Sequence, residues 1–116
     1  MTKPVKLYNS DLEALSLVKK IIENDLEKLP SIQTISVTCG LNRDKLKKGF
    51  KQLYGMPIER YHRHLRMEEA KRLLTTTDKT IYEIAWHVGY ERPQSFGAAF
   101  KRMVGVNPGQ WRKIDL

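Results

Sequence analysis

Between residues 42 and 54 the chain sets Arg43, Lys45, Lys47, Lys48 and Lys51 against a single acid, Asp44. Guanidinium and ammonium groups at this density donate to phosphate oxygens and to the acceptor edges of bases, so the chemistry on offer is the binding of a polyanion. Residues 1–41 carry five basic and five acidic side chains, which makes the positive charge a local feature of one stretch. The chain as a whole has 21 Lys and Arg against 13 Asp and Glu, a formal charge of +8, and an isoelectric point near 9.7. A solvated helix face can carry such a run too. What favours nucleic acid is that this run lies on a helix following a glycine turn.

Side chains for bond-making chemistry are scarce. No nucleophile stands at a recognisable spacing from a base, no glycine loop cradles a phosphate, and no ligand cluster has metal spacing, so no catalytic residue, cofactor or metal is expected. His62 and His64, two apart on a helix, face different directions, and His87 stands alone near a turn. Cys39 is the single cysteine. It reads as a small buried side chain, and the absence of a disulfide framework suits a reducing cytoplasm. The start Met1-Thr2-Lys3-Pro4-Val5-Lys6 lacks the apolar core of a signal peptide, and no apolar run is long enough to cross a bilayer.

The elements that must position the basic run come in two copies. Ile32, Ile35, Gly40, Phe50, Lys51, Gly55 and Tyr61 recur as Ile81, Ile84, Gly89, Phe100, Lys101, Gly105 and Trp111. The offset is 49 up to the first glycine pair and 50 from the Phe-Lys pair onward, which implies one residue inserted between them. Each copy reads as a short apolar helix, a glycine turn and a longer polar helix. This is the pattern of a helix-turn-helix whose second helix lies in a DNA major groove.

Ser10 and Glu13 have capping-box spacing at the start of a first helix, whose Leu12, Leu15, Val18, Ile22, Leu26 and Leu29 run on to a stop at Pro30. Ser31 and Asn42 are placed to cap the next two helices, with Leu46, Phe50 and Leu53 inward on the third. From Ile58 to Leu74 a longer amphipathic stretch, about 25 Å at 1.5 Å per residue, connects the copies. An intrahelical contact of Arg66 with Glu69 or Ala70 is expected to stiffen it. Thr80 and Glu83 open the second copy as another capping box. Pro93 fits the first turn of a helix reaching about Val104, with Phe96, Phe100 and Met103 inward, and Asn107-Pro108 starts a last short helix. The aromatic side chains, Trp86 and Trp111 included, read as core.

The ordered string Leu65-Arg66-Met67-Glu68-Glu69-Ala70-Lys71-Arg72-Leu73-Leu74, Thr80-Ile81-Tyr82-Glu83-Ile84-Ala85, Gly89-Tyr90, Ser95-Phe96, Ala99-Phe100-Lys101-Arg102, Gly105-Val106-Asn107-Pro108 and Trp111-Arg112 closely resembles the DNA-binding domain of AraC/XylS-type bacterial transcription regulators. The likeness spans about residue 8 to residue 113. It implies an all-α fold of about seven helices, with a first helix-turn-helix subdomain over 8–56, a linker helix over 57–75 and a second subdomain over 76–116. It also implies sequence-specific binding of double-stranded promoter DNA by two recognition helices in successive major grooves, and contact with RNA polymerase. Many members carry an effector-binding or dimerising domain ahead of this one, so the chain is either a C-terminal piece or a stand-alone regulator. A bacterial, cytoplasmic location at the nucleoid follows from the same likeness.

Carried over by position, the contacting residues of the first recognition helix are Arg43, Asp44, Lys47, Lys48 and Lys51. Asp44 either accepts from cytosine N4 or helps to cap the helix start. On the second recognition helix the corresponding residues are Arg92, Gln94, Ser95 and Ala98. Long donors are sparse there, because Gly97 and Ala98 stand where members often have a basic or amide side chain. Gln94 can pair bidentately with adenine, and Ala98 can meet a thymine methyl group. The expected division is therefore charge-based affinity from the first unit, with less base reading by the second. A non-specific basic nucleic-acid-binding domain is the alternative that shares the charge.

Overall fold

The computed structural model describes residues 3–114, so Met1, Thr2 and the last two residues of the expected second subdomain, Asp115 and Leu116, lie outside it. The architecture is all-α, with seven helices and no strand among the described residues: α1 (Asn9–Asn24), α2 (Ile32–Cys39), α3 (Arg43–Tyr54), α4 (Ile58–Thr76), α5 (Ile81–His87), α6 (Pro93–Val104) and α7 (Pro108–Lys113). The chain divides into two compact units, with the division between His62 and Arg63, inside α4.

The first unit is built on Leu15, Val18 and Ile22 of α1, at three- and four-residue steps, packed with Ile35, Leu41, Leu46, Phe50 and Ile58. Its opening differs from the Ser10–Glu13 box. Asp11 reaches back to accept from the backbone N–H of Tyr8 at 2.9 Å, so the helix begins at Asn9 and takes Ser10 into its first turn. Its close also differs. Asp25 Oδ1 accepts from the N–H groups of Glu27 (3.1 Å) and Lys28 (3.2 Å), offering the backbone a turn that ends α1 at Asn24, well before Pro30. Leu26 and Leu29 therefore lie beyond the helix.

Ser31 Oγ caps α2 through Thr34 N–H at 3.1 Å, and Asn42 Oδ1 caps α3 through Lys45 N–H at 2.8 Å. Between them Gly40 has φ 77°, and its counterpart Gly89 has φ 91°. Side chains rarely adopt such angles, which accounts for the repeated glycine. Gly49 has a different task. A Cβ there would sit 3.1 Å from Leu15 and 3.2 Å from Leu7, so its bareness lets α1 and the N-terminal arm approach α3.

The second unit gathers Met67, Ala70, Leu73 and Leu74 of α4 with Ile84, Ala85, Val88, Phe96, Ala99 and Phe100, and Ile81, Tyr90, Val104 and Trp111 pack against this core. Thr80 and Glu83 form the expected capping box, with Glu83 N–H donating to Thr80 Oγ1 at 3.1 Å. After α5, Gly89 N–H bonds to Trp86 O (3.0 Å) and Tyr90 N–H to Ala85 O (2.9 Å), the two reverse bonds of a glycine-terminated helix end. α3 and α6 are both twelve residues long, and their starts are 50 apart. The inserted residue therefore lies in the second turn, where Tyr90, Glu91 and Arg92 replace Leu41 and Asn42.

Trp86 is 70% exposed, and so departs from the expected core placement. It stands two residues from both Ile84 and Val88, about 200° round the helix from each, which points it away from the face they bury. Leu53 and Met103, at equivalent places in the last turns of α3 and α6, are also exposed, so the buried stripes end at Phe50 and Phe100. Arg66 ignores its own helix. Its Nε donates to Val88 O at 2.6 Å and its guanidinium lies 4.1 Å over the Tyr90 ring, while Glu69 pairs with Arg72 at 2.5 Å.

Candidate nucleic-acid interface

At about 100° per residue, Arg43, Asp44, Lys47, Lys48 and Lys51 fall within an arc of about 140° on α3 that excludes the buried Leu46, Gly49 and Phe50. All five are exposed. Lys45 falls about 60° beyond this arc, is partly buried, and is spent on an intramolecular pair: its Nζ lies 2.7 Å from Asp11 Oδ2. That ammonium, aided by the Tyr8 N–H, holds the Asp11 carboxyl below the usual carboxylate range. The same carboxylate that starts α1 thus pins α3 to it.

Two members of the exposed set have local partners. Arg43 Nε donates to Gln33 Oε1 of α2 at 2.8 Å, which fixes the guanidinium while its terminal amino groups remain as donors. Asp44 Oδ1 lies 3.2 Å from Lys48 Nζ, an exposed pair of small energetic weight. Capping at this helix start is done by Asn42, and Asp44 adds a negative charge to the first turn. Among the described residues neither Lys47 nor Lys51 has an ion-pair partner. Both line a cleft of about 230 Å³ with Lys48, Ile32, Pro57, Ile58 and Glu59.

On α6 the register of 50 sets Gln94, Gly97, Ala98 and Lys101 where α3 has Asp44, Lys47, Lys48 and Lys51. Gln94, Ala98 and Lys101 are exposed, and a Cβ built on Gly97 meets nothing. Ser95 is exposed where α3 has Lys45, about 60° beyond this face. Arg92 is the residue before the helix; its side chain makes no cap bond, and Pro93 supplies the first-turn geometry. The α3 residues are thus gathered in the first unit, and the α6 residues in the second. Lys101 is a further exposed cation on this face, marked in the sequence by the Phe-Lys repeat that pairs it with Lys51. The start of α6 is set by packing, since Tyr90, held under Arg66, lies 5.6 Å from the Phe96 ring. Burial lowers the Arg66 pKa, but a guanidinium stays charged at any physiological pH.

Among the described residues no group of three His, Cys, Asp or Glu side chains could hold a metal ion, and no helix is long and apolar enough to cross a membrane.

A family model described as a helix-turn-helix domain matches residues 35–114. The HTH-type transcriptional activator AarP of Providencia stuartii is 32% identical, over 81% of this chain and 70% of its own length. A transcriptional regulator of Chromobacterium violaceum, described among AraC-type DNA-binding domain-containing proteins, superposes with a TM-score of 0.79 at 25% identity, covering 90% of this chain and 94% of that one. The DNA-binding domain of AdpA, solved in complex with a target DNA, shares the fold at a TM-score of 0.77 and 24% identity, over 85% of this chain and 89% of that one. The chain spans about a third of the length of several other curated regulators it matches.

Proposed function

The chain belongs to the AraC/XylS family of helix-turn-helix DNA-binding domains of transcription regulators, and from that premise we propose that it binds double-stranded DNA sequence-specifically, with α3 and α6 in successive major grooves. The observation that carries this reading is the exposed arc of Arg43, Lys47, Lys48 and Lys51 on the second helix of a helix-turn-helix. Successive major grooves on one side of a duplex are about 34 Å, or about 10 bp, apart. One chain bearing two recognition helices needs no palindromic site. In this reading residues 8–56 and 76–116 are the two DNA-reading subdomains and 57–75 the linker between them. The AdpA domain was solved on target DNA, which supports the same use of this fold here.

The residues divide the work unequally. Arg43, Lys47, Lys48 and Lys51 supply phosphate and guanine contacts, and Asp44 tempers them by pairing with Lys48 or by accepting from cytosine. Lysine lacks the fork of arginine, so this face leans toward phosphate. On α6, Gln94 reads adenine and Ala98 meets a thymine methyl, with Arg92, Ser95 and Lys101 on the backbone. The relative AarP is an activator; promoter DNA, RNA polymerase and a cytoplasmic, nucleoid-bound location complete this reading, with an effector or dimerisation domain in a longer protein.

The test is a competition titration on duplexes selected from a random pool. Selected sites should bind at least about 10³-fold more tightly than random duplex at the same salt. Lys48→Ala should weaken all sites nearly uniformly, and Gln94→Ala should relax preference at one or two base pairs. Equal affinity for selected and random duplex would leave only a non-specific basic domain, and equal losses of specificity in the two variants would refute the division of labour.

A further inference from the structure

The non-helical arm ahead of α1 is fastened to α3. Gln52, on α3, accepts from Val5 N–H through Oε1 at 2.8 Å and donates to Val5 O through Nε2 at 3.0 Å, so one amide satisfies both backbone groups of a single arm residue. Two residues on, Leu7 lies against bare Gly49, and Tyr8 N–H is taken by Asp11, which also holds Lys45 of α3. Lys6 and Lys45 each lie 5.4 Å from the centre of the Tyr8 ring. The consequence is a cleft of about 290 Å³ lined by Lys3, Pro4, Lys48, Lys51 and Gln52. Three of its five lining residues are cationic, none is acidic, and two of those cations belong to the exposed arc of α3.

We propose that this cleft is a backbone-phosphate site, in which Lys3, carried by the Gln52-clamped arm, neutralises a DNA phosphate of its own beside those met by Lys48 and Lys51. The inference rests on the reading of α3 as a DNA-binding helix and extends it to a segment outside both helix-turn-helix units. An ammonium on a free arm would have to be ordered on binding. Clamping Val5 removes much of that cost in advance, which gives the two Gln52 bonds a purpose beyond local packing. Gln52 is a positioning residue here and touches no phosphate.

Salt dependence separates this from a merely structural arm, because each phosphate neutralised adds about 0.9 to the slope of log affinity against log salt. On a duplex selected by the full chain, Lys3→Ala should lower the slope by about one such unit. Gln52→Ala should lower it similarly although no charge is removed, with helicity by circular dichroism reporting that both variants remain folded. Lys47→Ala, outside the cleft, monitors the α3 reading independently. Slopes unchanged in both the Lys3 and Gln52 variants, with a lowered slope in Lys47→Ala, would overturn the arm site alone. A folded wild-type chain with no salt-dependent binding to duplex would overturn the DNA reading and the arm site together.

Discussion

Lys45 and Lys47 stand two apart in one basic run, yet one is an internal strut and the other a free cation. The difference is set by what faces each of them. Asp11 arrives from α1 at 2.7 Å from Lys45, whereas Lys47 opens on a cleft without an ion-pair partner. Helical period already turns the two about 160° apart, and tertiary partners then decide which charges remain available. Tyr61 makes the same point for a neutral group. Its hydroxyl donates to Glu23 Oε2 at 3.0 Å, and burial, then that hydrogen bond, pushes its pKa up to about 12. An unfolded tyrosine ionises near pH 10, so the native state retains the proton longer. The stability this contributes is present in full below pH 10 and is lost as pH rises through about 12. In urea titrations Tyr61→Phe should cost about 1 kcal/mol at pH 8, and the gap to wild type should narrow above pH 10. A gap that stays constant to pH 12 would show that the proton is not held this way.

At the scale of the element, α3 and α6 are in register but differently provisioned. Gly49 and Ala99 occupy equivalent buried positions, and only the first is crowded by Leu15 and Leu7. Gly97, in place of Lys47, faces open space. Gly97→Ala should therefore stabilise the second unit by about 1 kcal/mol through helix propensity alone. Gly49→Ala gains the same propensity but must displace a fully buried leucine, so chemical denaturation should show no gain or a net loss. Stabilisation by both would mean that α1 and the arm yield easily.

The helix signals most legible in the sequence were those whose partners lie within four residues: the caps at Ser31, Asn42, Thr80 and Asn107, and the glycine turns at 40 and 89. The Ser10–Glu13 signal failed because Asp11 competes for the same backbone and is held in place by a residue 34 positions away. Pro30 is the conspicuous stop signal after α1, whereas the Asp25 turn that actually ends the helix is a quieter local alternative. For Trp86, residue type points to the core and angular position points to solvent, and the exposed side chain follows the latter. The tie of Arg66 to Val88 and Tyr90 spans the chain from α4 to the second turn, and no spacing rule contains it.

At the scale of the whole molecule, two-groove binding requires one duplex to be read twice by one chain. α4 is a single helix of 19 residues shared by the two units: Ile58 and Tyr61 pack with the first, and Met67, Ala70, Leu73 and Leu74 with the second. A selected duplex, probed for bases whose removal or methylation blocks binding, should show two patches with centres about 10 bp apart. In the same experiment Lys47→Ala should weaken interference in one patch only, and Gln94→Ala in the other only. If both substitutions map to one patch, or if a monomer protects a single patch, the two-groove account is contradicted.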